Sequence, residues 1–504
     1  MGTYSEAYVE KMRTAMRRLK EENYNLRRRL EAQDSESAKA KLAAANRRTR
    51  ELEEGLRKAN AAIVEKDAAI AALRRENELL RAPVHQKDST NSSVPTSAGN
   101  IFSKGKVISN SRVKTGRKPG AQPGHRGHGR NPALSSGATV VEIPPTEEMA
   151  SNPDLHPTDR FASRLSIGLR VSVGIVEYRT RIYRRKDGTR VHAPFPAWCT
   201  NEVSYDPSVM ALALYLNGTC KVPVVQVSEL LSAMTEGKIA PSVGFISGLQ
   251  RRFSRLTEAE RTAMFNRLVR SKVLYTDFTV NRVCGENRNV LVVTDKKDTL
   301  YFEREKKGHE GIKGSPVEVS EGTLVHDHDT TFYSYGSQHQ ECLAHLSRYA
   351  QNSIELEPEK EWPKKLKEFL GKAIHEHREA GGKLDDGMTA ALTKEFKDIL
   401  RLGSREHLSD DDSIQNTETR RLLNRLWNYE ENVLLFLGRD DVDPSNNVSE
   451  RKLRAFKRKL KAQMCFRSSD AAAYYCDYLS MVQYYKANNR NILKSIEERF
   501  ATPL

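Results

Sequence analysis

The sequence predicts a multi-domain α/β protein, and three observations support this class. Its 504 residues exceed what a single hydrophobic core usually serves, so two to four domains are expected. Short β-branched runs recur between residues 273 and 325, each followed by turn-forming or charged residues, as is typical of strands. Residues 5–82 contain no proline and are rich in Ala, Glu, Lys, Arg and Leu, which predicts long helices ahead of the mixed region.

Composition limits the partners and the compartment. The net charge of +16 indicates a polyanionic partner, but it does not single out DNA, because ribosomal and membrane-surface proteins share this property. The six cysteines are scattered without a C-x-x-C pair, which favours a reducing compartment over a disulfide framework. Apolar runs of about 18 residues, the length of a membrane-spanning helix, are absent, so a soluble intracellular protein without membrane contact is expected.

Residues 5–82 carry apolar residues at heptad spacing in two blocks, with Asn23 and Asn77 at a positions. The blocks are out of phase, so a break in the repeat is expected between residues 32 and 50. An asparagine at an a position favours a defined register and often a dimer. The segment is therefore predicted to be a coiled coil that forms a homodimer or higher oligomer. The alternative is a long solvated helix that folds back on the body.

A basic segment follows at residues 83–138. No acidic residue lies between residues 89 and 141, while lysine, arginine and glycine are frequent. Such a segment cannot bury enough apolar surface to fold alone, but it can follow a phosphate backbone or enter a minor groove. It is predicted to bind DNA, with a plain solvated linker as the alternative. The candidate DNA contacts are Lys114, Arg117, Lys118, Arg126 and Arg130.

Two smaller regions precede the predicted core. Residues 139–200 alternate apolar and polar positions around a Lys-Asp-Gly turn, which predicts a small β unit with at least one hairpin. Residues 205–270 are predicted to be helical. Two of their helices, joined by a Glu-Gly-Lys turn, resemble a helix-turn-helix whose second helix carries Arg251 and Arg252. Both arginines are candidate DNA contacts, although helical hairpins that bind no DNA are common in such regions.

Residues 271–350 and 436–504 are predicted to form a catalytic core, interrupted by a helical insertion at residues 351–435. Strand patterns in the first part occur in the order strand, strand, strand, crossover, strand, which is typical of a ribonuclease-H-like core. In such a core the first and fourth strands lie side by side and parallel. Asp277 and Asp327 each close an apolar run, so both are expected at strand ends and close together.

A third carboxylate, Glu450, opens a helix-like stretch downstream. Arg454 and Lys457 follow at helical spacing on the same face, where they could contact phosphate. Carboxylates gathered from separate segments suit hard divalent cations, which take oxygen ligands and bridge phosphate oxygens. The triad Asp277, Asp327 and Glu450 is therefore a candidate metal-binding and catalytic site.

Each member of the triad also has a simpler structural interpretation. Glu450 fits a capping box with Asn447 as the N-cap, since N-x-x-E has that spacing. Asp277 could simply end a strand. Asp329, two residues after Asp327, is the rival for the second position, but the strand-end position favours Asp327.

Several short motifs resemble the insertion-sequence 66, or TnpC-type, branch of the DDE transposases. They are NSSVP at 91–95, GRKPGAQPGHRGH at 116–128, D-x-T at 277–279, HD at 326–327, CLAH at 342–345, NNVSERKLR at 446–454 and CFRSSDAA at 465–472. The resemblance implies a ribonuclease-H-like domain with a helical insertion, and it also places the triad on Asp277, Asp327 and Glu450. Phe278 departs from the pattern, because the family usually carries glutamate directly after the first aspartate.

The C-x-x-H of the resemblance falls on Cys342 and His345. A lone C-x-x-H supplies two of the four ligands that a structural zinc site needs. The two residues are therefore predicted to pack near the second aspartate and orient its surroundings. The cysteine-rich segment that commonly follows the basic motif of the family is missing here, since no cysteine precedes Cys199.

The resemblance implies a bacterial DNA transposase in the cytoplasm, associated with the nucleoid. Such a protein binds double-stranded transposon ends and target DNA, and it catalyses metal-dependent cleavage followed by 3′-hydroxyl strand transfer. Two Mg²⁺ ions, with Mn²⁺ as a substitute, would activate the attacking hydroxyl and stabilise the leaving oxygen. Two alternatives stay open: a domesticated DNA-binding regulator without activity, and a related nuclease without strand transfer.

Overall fold

The computed structural model describes residues 6–32, 36–81, 138–408 and 417–502. The chain divides into two compact units, Met1–Asp88 and Ser89–Leu504. The basic segment lies outside the described residues, and with it the predicted DNA contacts Lys114, Arg117, Lys118, Arg126 and Arg130. Within the described ranges, no helix is both long and apolar enough to cross a membrane.

The first unit contains two long helices, α1 (Glu6–Ala32) and α2 (Glu36–Arg81). Helix α1 ends at the start of the interval in which the heptad patterns predict a break. The two helices pack antiparallel within one chain: the Asn23 side-chain amide donates to the Thr49 hydroxyl at 3.0 Å, and Lys20 lies 3.5 Å from Glu53. Asn23 therefore finds a polar partner in its own chain. Oligomerisation through this segment stays a prediction, and the Asn77 side chain lies outside the described side chains.

The described part of the second unit begins at residue 138 with a mostly irregular stretch that includes the short helix α3 (Glu147–Ser151). The predicted hairpin is confirmed as β1 (Ile182–Arg184) and β2 (Arg190–His192), which pair antiparallel around the Lys-Asp-Gly turn. The alternating residues before it were expected to add to the β unit, but residues 159–181 form neither helix nor strand. Their apolar side chains have no partner strand or core; Ile175, for example, is 91% exposed.

Four helices follow, as the sequence predicted for this region. Polar side chains begin two of them: Asp206 accepts hydrogen bonds from the amides of the first turn of α4, and Ser242 does so for α6. The helices are α4 (Pro207–Gly218), α5 (Val224–Met234), α6 (Val243–Leu256) and α7 (Glu258–Val269).

The centre of this unit is a five-stranded mixed sheet. Its strands are β3 (Val273–Val283), β4 (Glu286–Thr294), β5 (Thr299–Arg304), β6 (Thr323–His326) and β7 (Gln338–Glu341). They lie in the order β5-β4-β3-β6-β7. The first three strands pair antiparallel, whereas β6 and β7 run parallel to β3. The predicted parallel pairing of the first and fourth core strands is therefore confirmed. Two short helices, α8 (His309–Ile312) and α9 (Pro316–Val319), form the crossover.

Two details of the sheet differ from expectation. Asp277 was predicted at a strand end, but β3 continues to Val283 because β4 pairs with it along its whole second half. Strand β7 was not predicted, since Gln338–Glu341 contains no apolar residue. It forms nevertheless because Gln340 and Glu341 are buried with specific polar partners from the helices that follow.

Among the residues that the structure describes, eight α-helices follow β7. They are α10 (Leu343–Leu356), α11 (Trp362–Glu379), α12 (Asp386–Leu408), α13 (Glu418–Asn428), α14 (Glu430–Leu434), α15 (Asn447–Gln463), α16 (Ser469–Ala487) and α17 (Ile492–Ala501). The predicted helical character of residues 351–435 is thus confirmed for those that the structure describes.

Alternation along β3 divides the apolar side chains between two cores. Leu274 and Phe278 belong to a core built with α4 to α7, α16 and α17, whereas Val273 and Tyr275 belong to a core built with α10 to α14. Helix α15 contributes to both cores, so it lies where they meet. By the same alternation, Asp277 shares the face of Tyr275 and is directed towards the α10–α14 side.

Candidate active site

Two adjacent parallel strands bring Asp277 and Asp327 to one level. The last paired residues of β3 and β6 are Tyr275 and Val325, so each aspartate lies two residues beyond the pairing. Strand β6 ends at His326, which confirms the strand-end position of Asp327. On β3 only the β4 side stays paired, which leaves the other edge of Asp277 open at the point where Asp327 begins a loop.

Helix α15 brings Glu450 to the same region, and Asn446 fixes where that helix begins. The Asn446 side-chain amide donates to the backbone carbonyl of Thr276 at 2.8 Å, and its backbone N–H donates to Cys342 Sγ at 3.1 Å. Asn446 is therefore the N-cap residue, without a capping side-chain bond. The capping-box interpretation, which required Asn447 as N-cap and Glu450 as its partner, is wrong because α15 begins one residue earlier than that motif needs.

The electrostatics place the three carboxylates near one another. Burial raises the pKa of Asp277 well above its usual value, and the charges of Asp327 and Glu450 raise it further. Lys457, on the Glu450 face of α15, opposes that rise. Arg454 is exposed on the same face. Negative charges held together in a partly buried place favour protonation or a bound cation.

Asp327 also has a raised pKa, chiefly because of burial and then because of the neighbouring charge of Asp329. Asp329 has a structural role of its own. Its Oδ1 accepts the Thr331 backbone N–H at 3.1 Å and so caps a short 3-10 helix. Its backbone N–H in turn donates to Asp327 Oδ1 at 3.3 Å. These contacts support Asp327 as the second member of the triad.

The Glu450 side chain is turned towards α10. Its Oε1 lies 3.7 Å from His345 Nδ1 and 3.6 Å from Arg348 Nη2, and both Glu450 Oε1 and His345 Nδ1 are buried without a hydrogen-bond partner. Cys342, His345 and Glu450 hold their ligand atoms within 4.8 Å of one another. In the part of the chain that the structure describes, the three acidic residues of the triad do not form so tight a group.

Cys342 and His345 are buried beside Glu450 of α15, and their predicted role in orienting the surroundings of Asp327 stays a prediction. Burial and the Glu450 charge raise the pKa of the Cys342 thiol to about 12. Burial and the charges of Arg348 and Arg425 lower the pKa of His345 to about 3. A neutral thiol and a neutral imidazole are the forms that pack most readily in a buried place.

A buried ion pair beside the triad was missed from the sequence. Glu341, at the end of β7, accepts hydrogen bonds from Arg425 Nε at 3.0 Å, from the Tyr333 hydroxyl at 2.5 Å and from His328 Nδ1 at 2.7 Å. Although burial opposes it, these contacts lower the pKa of Glu341 to about 2. The pKa of Asp327 is raised overall, but the charge of Arg425 opposes that rise, so α13 contributes positive charge to the site. In the sequence, the one hint that Glu341 is a buried site residue was its position directly before the C-x-x-H motif.

Phe278, the departure from the family pattern, does not face the triad. It belongs to the opposite face of β3 and stacks on Phe332 with ring centroids 5.6 Å apart. An apolar side chain is therefore well placed at this position, and the Asp277 face is unaffected.

The predicted helix-turn-helix corresponds to α5 and α6. Arg251 is exposed, whereas Arg252 is half-buried with its guanidinium 5.9 Å from the Phe500 ring. The apolar face of α6 packs against α16 and α17 in the same core. DNA contact through Arg251 and Arg252 stays a prediction, and Arg251 is the more accessible of the two.

The fold and the acidic cluster together define an α/β protein whose central sheet and flanking helix gather carboxylates suited to cations. A family model described as "Transposase IS66 family" matches residues 202–474, more than half of the chain. The chain therefore belongs to the IS66 transposase family, which confirms the resemblance seen in its motifs. Membership assigns it a transposase function, a DNA-processing class of enzyme that binds DNA and generally uses divalent metal ions. No curated protein matches the chain.

Proposed function

We propose that this chain is the DNA transposase of a bacterial insertion sequence, with Asp277, Asp327 and Glu450 as its catalytic carboxylates. It would bind double-stranded transposon ends, cleave a DNA strand and transfer the resulting 3′-hydroxyl to target DNA. The observation that carries the proposal is the parallel pairing of β3 with β6, which brings Asp277 and Asp327 to one level of the sheet; the charge of Glu450 also reaches Asp277 and helps to raise its pKa. Three carboxylates from distant segments repel one another there, a costly arrangement unless cations bind.

The sheet topology supports the same conclusion. Three antiparallel strands followed by two parallel ones, in the order β5-β4-β3-β6-β7, are typical of a ribonuclease-H-like core. The helices between β7 and α15 then correspond to an insertion within the catalytic domain. Such a core supplies three carboxylates. Here they would be Asp277 on the central strand β3, Asp327 after the adjacent strand β6, and Glu450 on the later helix α15.

The residues fit a pair of Mg²⁺ ions. Mg²⁺ prefers a few carboxylates together with waters and substrate phosphates, and the partly exposed Asp277 and Asp327 with the unpartnered Glu450 Oε1 offer oxygens of this kind. When bound, the ions lower the pKa of the attacking water or 3′-hydroxyl and stabilise the leaving oxygen. Cys342 and His345 would then pack behind Glu450 and orient it.

The chain's own residues have separable tasks in this reaction. Asp277 and Asp327 would hold the metal ions, and the reacting phosphate would be positioned through those ions. Lys457 lies close enough to Asp277 to lower its pKa, so it is placed to contact the phosphate that enters there. Arg348 would attract Glu450 from the α10 side, since its Nη2 lies 3.6 Å from Glu450 Oε1. None of these tasks requires a protein nucleophile, so no covalent bond between protein and DNA forms.

The remaining parts of the proposal concern assembly and location. The two helices of the first unit would join protomers into a dimer or higher oligomer, because two transposon ends must be held together for strand transfer. A chain that works on bacterial DNA would act in the cytoplasm at the nucleoid, as its net charge of +16 favours.

The test is a Mg²⁺- or Mn²⁺-dependent cleavage and strand-transfer assay on DNA that carries the element's own ends. We expect Asp277→Asn, Asp327→Asn and Glu450→Gln to bind DNA but to lose both steps, and Asp329→Asn to keep them. A wild type that cleaves but never joins would indicate a nuclease. A wild type that binds without metal-dependent cleavage would indicate a regulator. Activity in the Glu450→Gln variant would remove that residue from the triad.

A further inference from the structure

A strongly basic cleft lies beside the candidate active site and has no part in the proposed function so far. It has a volume of about 900 Å³ and is lined by α15, α16, the β4–β5 turn and the segment after α4. Its cationic lining consists of Lys221, Lys296, Arg451, Lys452, Arg458 and Lys486, whereas Asp443 is its acidic lining residue.

The positive charge of the cleft is not neutralised from within. Asp443 is already engaged, since its Oδ2 lies 2.9 Å from Lys296 Nζ and accepts a tyrosine hydroxyl of β3 at 2.8 Å. Across the ranges that the structure describes, the other five cations form no ion pair. Lys452 Nζ donates to the Gln483 amide at 3.0 Å instead, and Lys221 Nζ donates to a backbone carbonyl. Lys221 and Lys452 are half-buried without a carboxylate in an ion pair, which favours an anionic ligand.

The cations are also close to one another. Burial and then the charges of Lys459, Arg458 and Lys486 lower the pKa of Lys221 to about 8. Such mutual repulsion destabilises the empty cleft and is relieved when a polyanion binds.

Two of these lysines occupy backbone conformations that suit glycine better. Lys221 has a φ of 66° and Lys296 a φ of 81°, in the left-handed region. A non-glycine residue there costs roughly 1–2 kcal/mol. Strained residues of this kind cluster at functional sites, and here both direct their charge to the rim of one cleft.

Helix α15 connects the cleft to the candidate active site. Glu450 and Lys457 lie on one face, and Arg451 and Arg458 lie roughly 100° further round the axis, because successive helical residues are rotated by that angle. A nucleic-acid strand that passes Glu450 would therefore continue into the cleft.

We infer that this cleft binds the sugar-phosphate backbone of DNA, as a continuation of the path along which the substrate reaches Asp277, Asp327 and Glu450. The inference rests on the proposed function, because it takes the cleft's ligand to be the DNA on which the active site acts. It adds a binding surface whose lining residues belong neither to the basic segment nor to α6.

Cys220 is an intrinsic probe, since it is exposed and lines the cleft. Alkylation of the full-length protein by N-ethylmaleimide, followed by peptide mass spectrometry, should be at least several-fold slower at Cys220 when duplex DNA is present. Cys284 is also exposed and lies at the far end of β3, so its alkylation should not slow. Unchanged alkylation of Cys220 at saturating DNA would overturn the inference.

The second readout is the salt dependence of duplex binding. Arg451, Arg458 and Lys486 are exposed, so the variant Arg451→Gln/Arg458→Gln/Lys486→Gln should fold normally. Its plot of log affinity against log salt should lose up to about 3 in slope, at about 0.9 for each phosphate contact removed. Duplex DNA should also no longer protect Cys220 of this variant from alkylation.

The matched control removes three exposed cations from α12 and the loop before it. The variant Lys383→Gln/Lys394→Gln/Arg405→Gln has the same net charge as the cleft variant and should keep the wild-type slope. Equal slope losses in both variants would show a general charge effect and overturn the inference. If DNA protects Cys220 in the wild type and the cleft variant shows the slope loss, but the wild type never cleaves DNA, the proposed function fails while the cleft assignment stands. If the wild type cleaves DNA but Cys220 stays unprotected, the cleft assignment fails while the proposed function stands.

Discussion

Replacement of Asn446 should distinguish the N-cap that the structure shows for α15 from the alternative N-cap, Asn447, that the sequence also allowed. The Asn446 side-chain amide donates to the Thr276 carbonyl at 2.8 Å, one residue before Asp277, and four residues later α15 carries Glu450. One buried hydrogen bond thus joins the first and third carboxylates of the proposed triad.

The expected loss of stability in Asn446→Ala follows from the burial of this side chain. Asn446 is 0% exposed, so Asn446→Ala removes a donor that water cannot replace and leaves the carbonyl without it. The loss should cost about 1–3 kcal/mol in the free energy of unfolding. Because α15 is then less firmly positioned, metal-dependent cleavage should fall by about 10- to 100-fold, as is common when a residue that orients a metal ligand is removed.

The matched control is Asn447→Ala. Asn447 is the same residue type one position later, is partly exposed and makes no side-chain hydrogen bond to the described sheet. Its replacement should change the free energy of unfolding by less than about 0.5 kcal/mol. Asn446→Asp keeps the shape but loses the donor, so it should be at least as unstable as Asn446→Ala.

The assay is urea denaturation followed by tryptophan fluorescence, paired with cleavage of end-bearing DNA. If Asn447→Ala proves the more destabilising change, at the roughly 0.5–2 kcal/mol typical of a lost N-cap, then Asn447 is the N-cap of α15 and our reasoning is refuted. If Asn446→Asp is as stable as the wild type, the hydrogen bond to Thr276 is not what holds the helix.

Three further outcomes follow from contacts and charges. Glu341 has a pKa of about 2 against an ordinary 4.5, so its roughly 3 kcal/mol of stability is present above pH 4.5 and lost as pH falls towards 2. Urea titrations of Glu341→Gln should lack this acid-dependent loss. Asp327→Asn removes a charge that raises the pKa of Asp277, so its metal-free melting temperature should rise, and Mg²⁺ should stabilise it less than the wild type. Gly218→Ala would put a Cβ 2.4 Å from a tyrosine ring and should cost about 1–3 kcal/mol, whereas Gly248→Ala, in open space, should be neutral or stabilising.

Much of the sheet was predictable because most of its strands contain β-branched, apolar runs, which indicate strands. Asp327 follows such a run directly, and β6 does end before it. Asp277 follows a similar run, yet β3 continues because β4 supplies a partner that the local pattern does not reveal. A strand end is set by the partner strand as well as by the sequence of the strand itself.

The polar parts of the site were less predictable. Strand β7 has no apolar residue, and it is stabilised by Arg425, which lies far along the chain on α13. The start of α15 is set by a bond from Asn446 to β3, whereas local spacing pointed to Asn447. Short-range patterns report propensity and periodicity, but they contain no information about which distant donor meets a given acceptor.

The orientation of Glu450 connects the electrostatics of the site to its assembly. The Asp277 and Asp327 charges repel a third carboxylate, while Arg348 attracts it at 3.6 Å, so the metal-free preference is for Glu450 to face α10. The buried Oε1 lacks a hydrogen-bond donor in that position, which limits how strongly the position is favoured. Cations held by Asp277 and Asp327 would offset this repulsion. In the proposed reaction Glu450 would therefore turn towards the two aspartates only when cations are bound.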